Sequence, residues 1–274
     1  MRGGLFSSII LNKGKLIQSK LEQPVDIALT LAMAELRARF IDPEKGVVRY
    51  SLIRGSQEFE RYQYLTRALR LFDLRSLDTR EKRLAFWINI YNTLVIHGVI
   101  ELELQHSVKE CGRFFDRIVY EIGGHRFSLN DIEHGILRGN SRHPYRLWKP
   151  FSHRDARLGF SLQPMDPRIH FTLVCGARSC PPIGFYEAAR IDFQLQLAAE
   201  SFINSPQVRV FPEEGFVSVS MIFKWYKADF GGTRDGLIDT LLQFLDKGEK
   251  EELLKHHRQR LRIRYQAYDW SLNQ

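Results

Sequence analysis

Val119-Tyr120-Glu121-Ile122-Gly123-Gly124-His125-Arg126-Phe127-Ser128-Leu129-Asn130-Asp131-Ile132 sets the class of this molecule. Two short β-prone runs flank a Gly-Gly pair, the pattern of a tight hairpin. Ser128 then stands as a helix cap, with Asp131 at the third helical position and Ile132, Ile136 and Leu137 on one face. A hairpin that runs straight into a helix is not a βαβ unit. It points to an α+β arrangement.

Upstream, Pro24 opens a helix that reaches Phe40, and Asp42 to Gly46 reads as a turn. Val47 to Ile53 reads as a short strand or an extended connector. A helix is expected from Ser56 to about Phe72. The next is capped by Asp78, with Glu81 completing a capping box. Leu84, Trp87, Ile88, Tyr91, Leu94 and Val95 recur there at helical spacing, so this helix should be the most buried. Downstream, the apolar run Ile169 to Val174 reads as a strand, and Asp192 to about Phe202 as a helix. Val208–Phe211 and Phe216–Val219 form a second hairpin. Met221 to Tyr226 is a helical turn, 235–256 is helical with a break near Gly248, and Leu261 to Tyr265 is a last strand. The expected fold is a single compact α+β domain over 24–274, with helices packed on a small, mostly antiparallel sheet. A loosely held arm over 1–23 precedes it.

Lys and Arg outnumber Asp and Glu by 40 to 32, a formal charge of +8 that favours acidic partners without implying nucleic acid. Apolar residues make up 44% of the chain, enough for a sizeable core and too many for a disordered protein. Three cysteines cannot all pair within the chain, which argues for a reducing compartment. No apolar run reads as a membrane span, and the first residues lack a clear secretory pattern. A soluble, cytoplasmic protein is the expectation.

The chemistry concentrates in Asp166 to Pro182. His170 precedes Cys175, and Cys180 lies beyond a glycine-bearing turn. A thiol attacks only as thiolate, and a nearby imidazole can supply that state. On a straight strand His170 and Cys175 face opposite sides, so Cys180, folding back, is the better partner for the imidazole. Loop amides from Gly176 to Cys180 could hold an oxyanion, with Arg178 adding positive charge. Cys175 also continues an apolar run, as a packing residue would. Three ligands at this spacing do not make a structural zinc site, so no metal is expected.

Asn89 and Asn92 border the buried stripe of the Trp87 helix. They either orient an imidazole or bind an irregular loop backbone. Glu133 sits in a helical first turn, where the dipole alone accounts for it, or it is an acid/base facing a cleft. The run Arg138 to Arg157 interleaves basic and aromatic residues. It resembles a single-strand nucleic-acid surface, and equally a loop that covers a cleft. His256 to Arg260 reads as solvated surface.

Four segments, Ala85 to Asn92, Ser128 to Arg138, Asp166 to Ile183 and Tyr268 to Asn273, together resemble the DUF547 family, a domain of unknown function. The resemblance runs from about Pro24 onward. It implies no catalytic residues. It does imply relatives fused to glutaredoxin-like modules, and others that act as partner-binding proteins. A papain-like or transglutaminase-like arrangement is a fold-level analogy only, since the central helix here carries Asn89 and Asn92 and no cysteine. The resulting expectation is a thiol-dependent hydrolase or acyl transferase. Cys180 or Cys175 would be nucleophile, His170 base, Asn92 orienter and Glu133 an alternative acid/base, with Arg178, Asn89 and Trp87 binding substrate. The alternatives are a non-catalytic interaction module and a thiol redox partner. No cofactor is implied. The partner would be a small-molecule or peptide substrate, or a protein, rather than nucleic acid.

Overall fold

The computed structural model describes residues 7–15, 22–42 and 46–274. It resolves into two compact units. The first comprises residues 1–166, 173–191 and 270–274. The second comprises 167–172 and 192–269.

In the first unit, strand β1 (Ile9–Ile10) precedes helix α1 (Val25–Phe40), and β2 (Ile41–Asp42) pairs with β3 (Val47–Val48). Helices α2 (Tyr50–Ile53), α3 (Gln57–Thr66), α4 (Arg80–Glu101) and α5 (Phe114–Arg117) follow, then β4 (Ile118–Ile122) and β5 (His125–Ser128). The hairpin forms as its glycines require. Gly123 and Gly124 both take positive φ, and β4 and β5 pair antiparallel from Val119–Ser128 to Ile122–His125. β1 adds to β4 in parallel. Asn12 fixes that edge by bonding the Thr66 carbonyl and both backbone groups of Glu121. The rest of the expected arm, 1–6 and 16–21, lies outside the described residues, as does the middle of the turn expected over Asp42 to Gly46.

α4 is the centre of this unit. Every residue from Leu84 to Ile100 is buried. The helix is long and apolar enough to cross a bilayer, but it is enclosed by protein instead. Its cap is Thr79, whose hydroxyl accepts from Lys82 N–H, and not the expected Asp78, which pairs with the Lys82 ammonium. Val47 to Ile53 divides into β3 and the single turn α2.

The second unit contains α6 (Ile191–Asn204, from Asp192 onward), β6 (Val208–Phe211), β7 (Phe216–Val219), α7 (Ile222–Trp225), α8 (Arg234–Phe244), α9 (Glu249–His257) and β8 (Arg262–Tyr265). β6 and β7 form the expected hairpin, and β8 joins β7 in parallel. Phe171, Phe202, Phe223 and Phe230 meet at the middle of its core.

Two further expectations fail locally. Ile169 to Val174 is not a strand. Pro167–Phe171 winds into a tight 3₁₀ turn, and Thr172 closes it with its N–H and its hydroxyl both on the Ile169 carbonyl. A short apolar run carries no period that separates a strand from a buried turn. The opposite-face argument for His170 and Cys175 falls with the strand. Asp131–Leu137, expected as an α-helix, is wound wider: Arg138 N–H reaches Glu133 O at 2.8 Å and Asn140 N–H reaches Gly135 O at 3.0 Å. These are π-helical bonds, a conformation frequent at functional sites.

Candidate functional site

In the first unit α4 presents two asparagines to the irregular stretch 173–191. Asn89 Nδ2 donates to Tyr186 O at 2.8 Å, and its Oδ1 accepts from Tyr186 N at 2.9 Å. Asn92 Oδ1 accepts the Val174 N–H at 2.9 Å. Loop backbone in a buried setting needs such partners, because it has no ladder of its own. The Val174 bond sits one residue before Cys175 and fixes where the cysteine loop starts.

The loop turns at Gly176, where φ is +80°, a conformation natural to glycine. Cys180 N–H bonds back to Ala177 O at 3.0 Å. Residues 270–274 hold the loop from outside the turn. Ala177 bridges Leu272, Arg178 N–H donates to Ser271 O at 2.9 Å, and Asn273 N–H donates to Gly176 O at 3.1 Å. The Tyr50 hydroxyl donates to Asn273 Oδ1 at 2.8 Å, and Val48 N–H donates to Asn273 O at 2.6 Å. Burial pushes Tyr50 far above the usual phenol range, and negative charge on Cys180 and then Cys175 adds to the shift. Tyr50 therefore stays a neutral donor at every working pH.

This scaffold brings two sulfurs together. Cys175 Sγ and Cys180 Sγ are 2.6 Å apart, and the Cys175 N–H points at Cys180 Sγ at 3.0 Å. Both cysteines are partly exposed and neither is in a disulfide. An N–H aimed at a sulfur favours negative charge on it. Of the amides expected as oxyanion donors, that of Arg178 bonds the strap and that of Cys180 bonds within the loop. Arg178 itself is exposed.

The remaining expected site residues have partners of their own. His170 belongs to the second unit. Its Nε2 bonds Asp229 Oδ2 at 2.8 Å, and its ring stacks on Tyr226 with centroids 3.9 Å apart. Trp87, expected to bind substrate, lies on α4. It is fully buried between Phe86 and Phe127 and packs the core, because α4 is enclosed on all sides. Glu133 is buried on the π-helical segment and accepts from the Tyr91 hydroxyl at 3.0 Å. Beside it His134 Nδ1 meets the Arg138 guanidinium at 2.9 Å. Arg can only donate, so the proton of that ring sits on Nε2. A cavity of about 400 Å³ lies between α1, α4 and residues 185–188, walled mainly by Ile27, Leu31, Met33, Phe86, Ile90 and Phe185. Among the described residues no three His, Cys, Asp or Glu side chains converge as a metal site would require.

Sequence reasoning missed Tyr50 and the strap role of 270–274. Tyr50 carries no local signal. The strap lies in the Tyr268 to Asn273 motif, whose contact with the cysteine loop is legible only in three dimensions.

Residues 74–203 match the family model DUF547, a protein of unknown function. No curated protein and no solved structure matches the chain.

Proposed function

We propose that this chain, whose residues 74–203 place it in the DUF547 family, uses Cys175 and Cys180 as a reversible dithiol–disulfide couple. The observation that carries the reading is the 2.6 Å separation of two partly exposed sulfurs that no disulfide joins. A covalent S–S bond is about 2.05 Å, so bonding needs little movement of the held backbone. Cys180, which receives the Cys175 N–H, attacks a substrate disulfide as thiolate. One new S–S bond forms and one substrate thiolate leaves. Cys175 then attacks the mixed disulfide, closing the Cys175–Cys180 bond and expelling the second substrate thiolate. Two electrons pass to the substrate, and a thiol pool returns them. A reducing compartment such as the cytoplasm would keep the pair as dithiol between turnovers.

The test is thiol labelling and intact mass in glutathione buffers of graded poise. Wild type should lose two thiols and two hydrogens in one two-electron step, leaving Cys111 titratable. Cys175→Ala and Cys180→Ala should each abolish the step. Two thiols that oxidise independently, or not at all, would refute the couple.

A second reading is thiol-dependent hydrolysis or acyl transfer with a cysteine nucleophile, and within the second unit the His170–Asp229 pair has the form of an oriented base. A carboxylate on one ring nitrogen is how a catalytic imidazole is commonly oriented, and Asp229 takes Nε2 of His170. Here His170→Ala and Asp229→Asn decide. Slower iodoacetamide labelling at neutral pH, with the redox midpoint unchanged, would support a base. Wild-type labelling no faster than a free model thiol would remove the nucleophile.

A further inference from the structure

Between the π-helical segment and the turn at Ala156–Phe160 the chain makes a loop with fixed ends and an uncovered tip. Asn140 closes the base, donating to Phe151 O at 3.0 Å and accepting from Phe151 N at 2.9 Å. Phe151 is buried against Gly135, where a Cβ would stand 2.3 Å from its ring. The Arg157 guanidinium covers the same ring at 4.4 Å and bonds Asp131 and Asp155. Arg146 reaches Asp116 at 2.6 Å. The loop is therefore held from both sides. Yet Tyr145, Leu147 and Trp148 are 74%, 82% and 63% exposed at its tip. Arg142, Lys149, His153 and Arg154 are exposed in the same run. Among the described residues no carboxylate lies within ion-pair distance of Arg142, Lys149 or Arg154.

Isolated exposed apolar side chains are ordinary. Three within four positions, on backbone that is pinned, mark a surface that meets something. Their chemistry separates the candidates. Base stacking uses flat rings, and Leu147, the most exposed of the three, has none. An aliphatic tip beside Trp and Tyr, in a run with three exposed cations that lack ion pairs, fits the boundary between phospholipid headgroups and acyl chains. We propose that residues 142–154 dock the protein on an anionic lipid surface. Leu147 and Trp148 enter the acyl boundary, Tyr145 lies at headgroup level, and Arg142, Lys149 and Arg154 face the anionic headgroups. The formal charge of +8 adds longer-range attraction of the same sign. This docking is peripheral and independent of the thiol couple.

The test uses the full chain and sedimented vesicles of phosphatidylcholine with or without phosphatidylglycerol. Binding should require the anionic lipid, weaken with salt, and shift tryptophan emission to the blue. Trp148→Phe should remove the shift. Leu147→Glu should lower partitioning more than about tenfold, and Lys149→Glu or Arg154→Glu about fivefold each. All four side chains are exposed, so thermal unfolding should stay as in wild type. Absence of binding to anionic vesicles, or wild-type binding by Leu147→Glu, would overturn the proposal. Binding of oligothymidylate that Trp148→Ala abolishes, with vesicles left unbound, would assign the surface to single strands instead.

Discussion

The cysteine loop and the His97 cluster both hang on α4, and they put polar atoms to opposite uses. At the loop, Asn92 anchors a turn that leaves two sulfurs partly in solvent. One and a half turns further along, His97 Nδ1 meets the Tyr120 hydroxyl at 2.7 Å, Tyr120 meets Tyr62 at 2.7 Å, and His97 Nε2 meets Gln63 at 3.3 Å. Those groups are also of types that do chemistry, but they are sealed and satisfy one another. The contrast shows what residue type alone leaves undecided. Histidine or cysteine marks a site only where the fold leaves the reacting atom reachable.

Three measurements sharpen that contrast. The largest effect belongs to His97. Burial pushes it down to about 3 from its ordinary value near 6.5. Between those two values the unfolded chain takes a proton that the folded one refuses. Stability is therefore full above about pH 6.5 and falls as pH drops toward 3, by about 5 kcal/mol in all. Urea unfolding across that range should show the slope in wild type and lose it in His97→Gln. An unchanged slope would mean the cluster is not sealed. Next is Asn92→Leu, which strands the Val174 N–H in the interior. It should cost about 2 kcal/mol and speed alkylation of Cys175 and Cys180 as the loop loosens. A stability loss without faster alkylation would show that Asn92 holds the core rather than the loop. The smallest is Tyr50→Phe, which removes the bond to Asn273 at a cost of about 1 kcal/mol. It should leave the pH dependence due to His97 untouched. A change there would couple two regions that share only the helix.

The elements with their own chemical punctuation were legible in the sequence. Gly123-Gly124 announced its hairpin, Ser56 its helix, and the apolar density around Trp87 the central helix. The misreadings occurred where tertiary contacts choose between local alternatives. Ile169 to Val174 is apolar enough for a strand, and Thr172 ties it into a turn. Asp131 to Leu137 has the spacing of an α-helix, but burial of Glu133 and His134 beside Gly135 and Phe151 goes with the wider winding. The two cysteines were found as residue types. Their closeness depends on Gly176, Asn92 and a strap nearly a hundred residues further along, and no local pattern encodes that.

The strap carries a consequence for how the protein comes into being. On the ribosome, residues 173–180 emerge long before 270–274, and all of 192–269 is synthesised between them. A nascent chain that has reached residue 203 contains the whole family match, yet Gly176 O and the Arg178 amide still await their partners. The cysteines would thus exist as a loose pair before they become a positioned one. An excised fragment ending at 203 would be expected to keep that immature state, with thiols that oxidise indiscriminately.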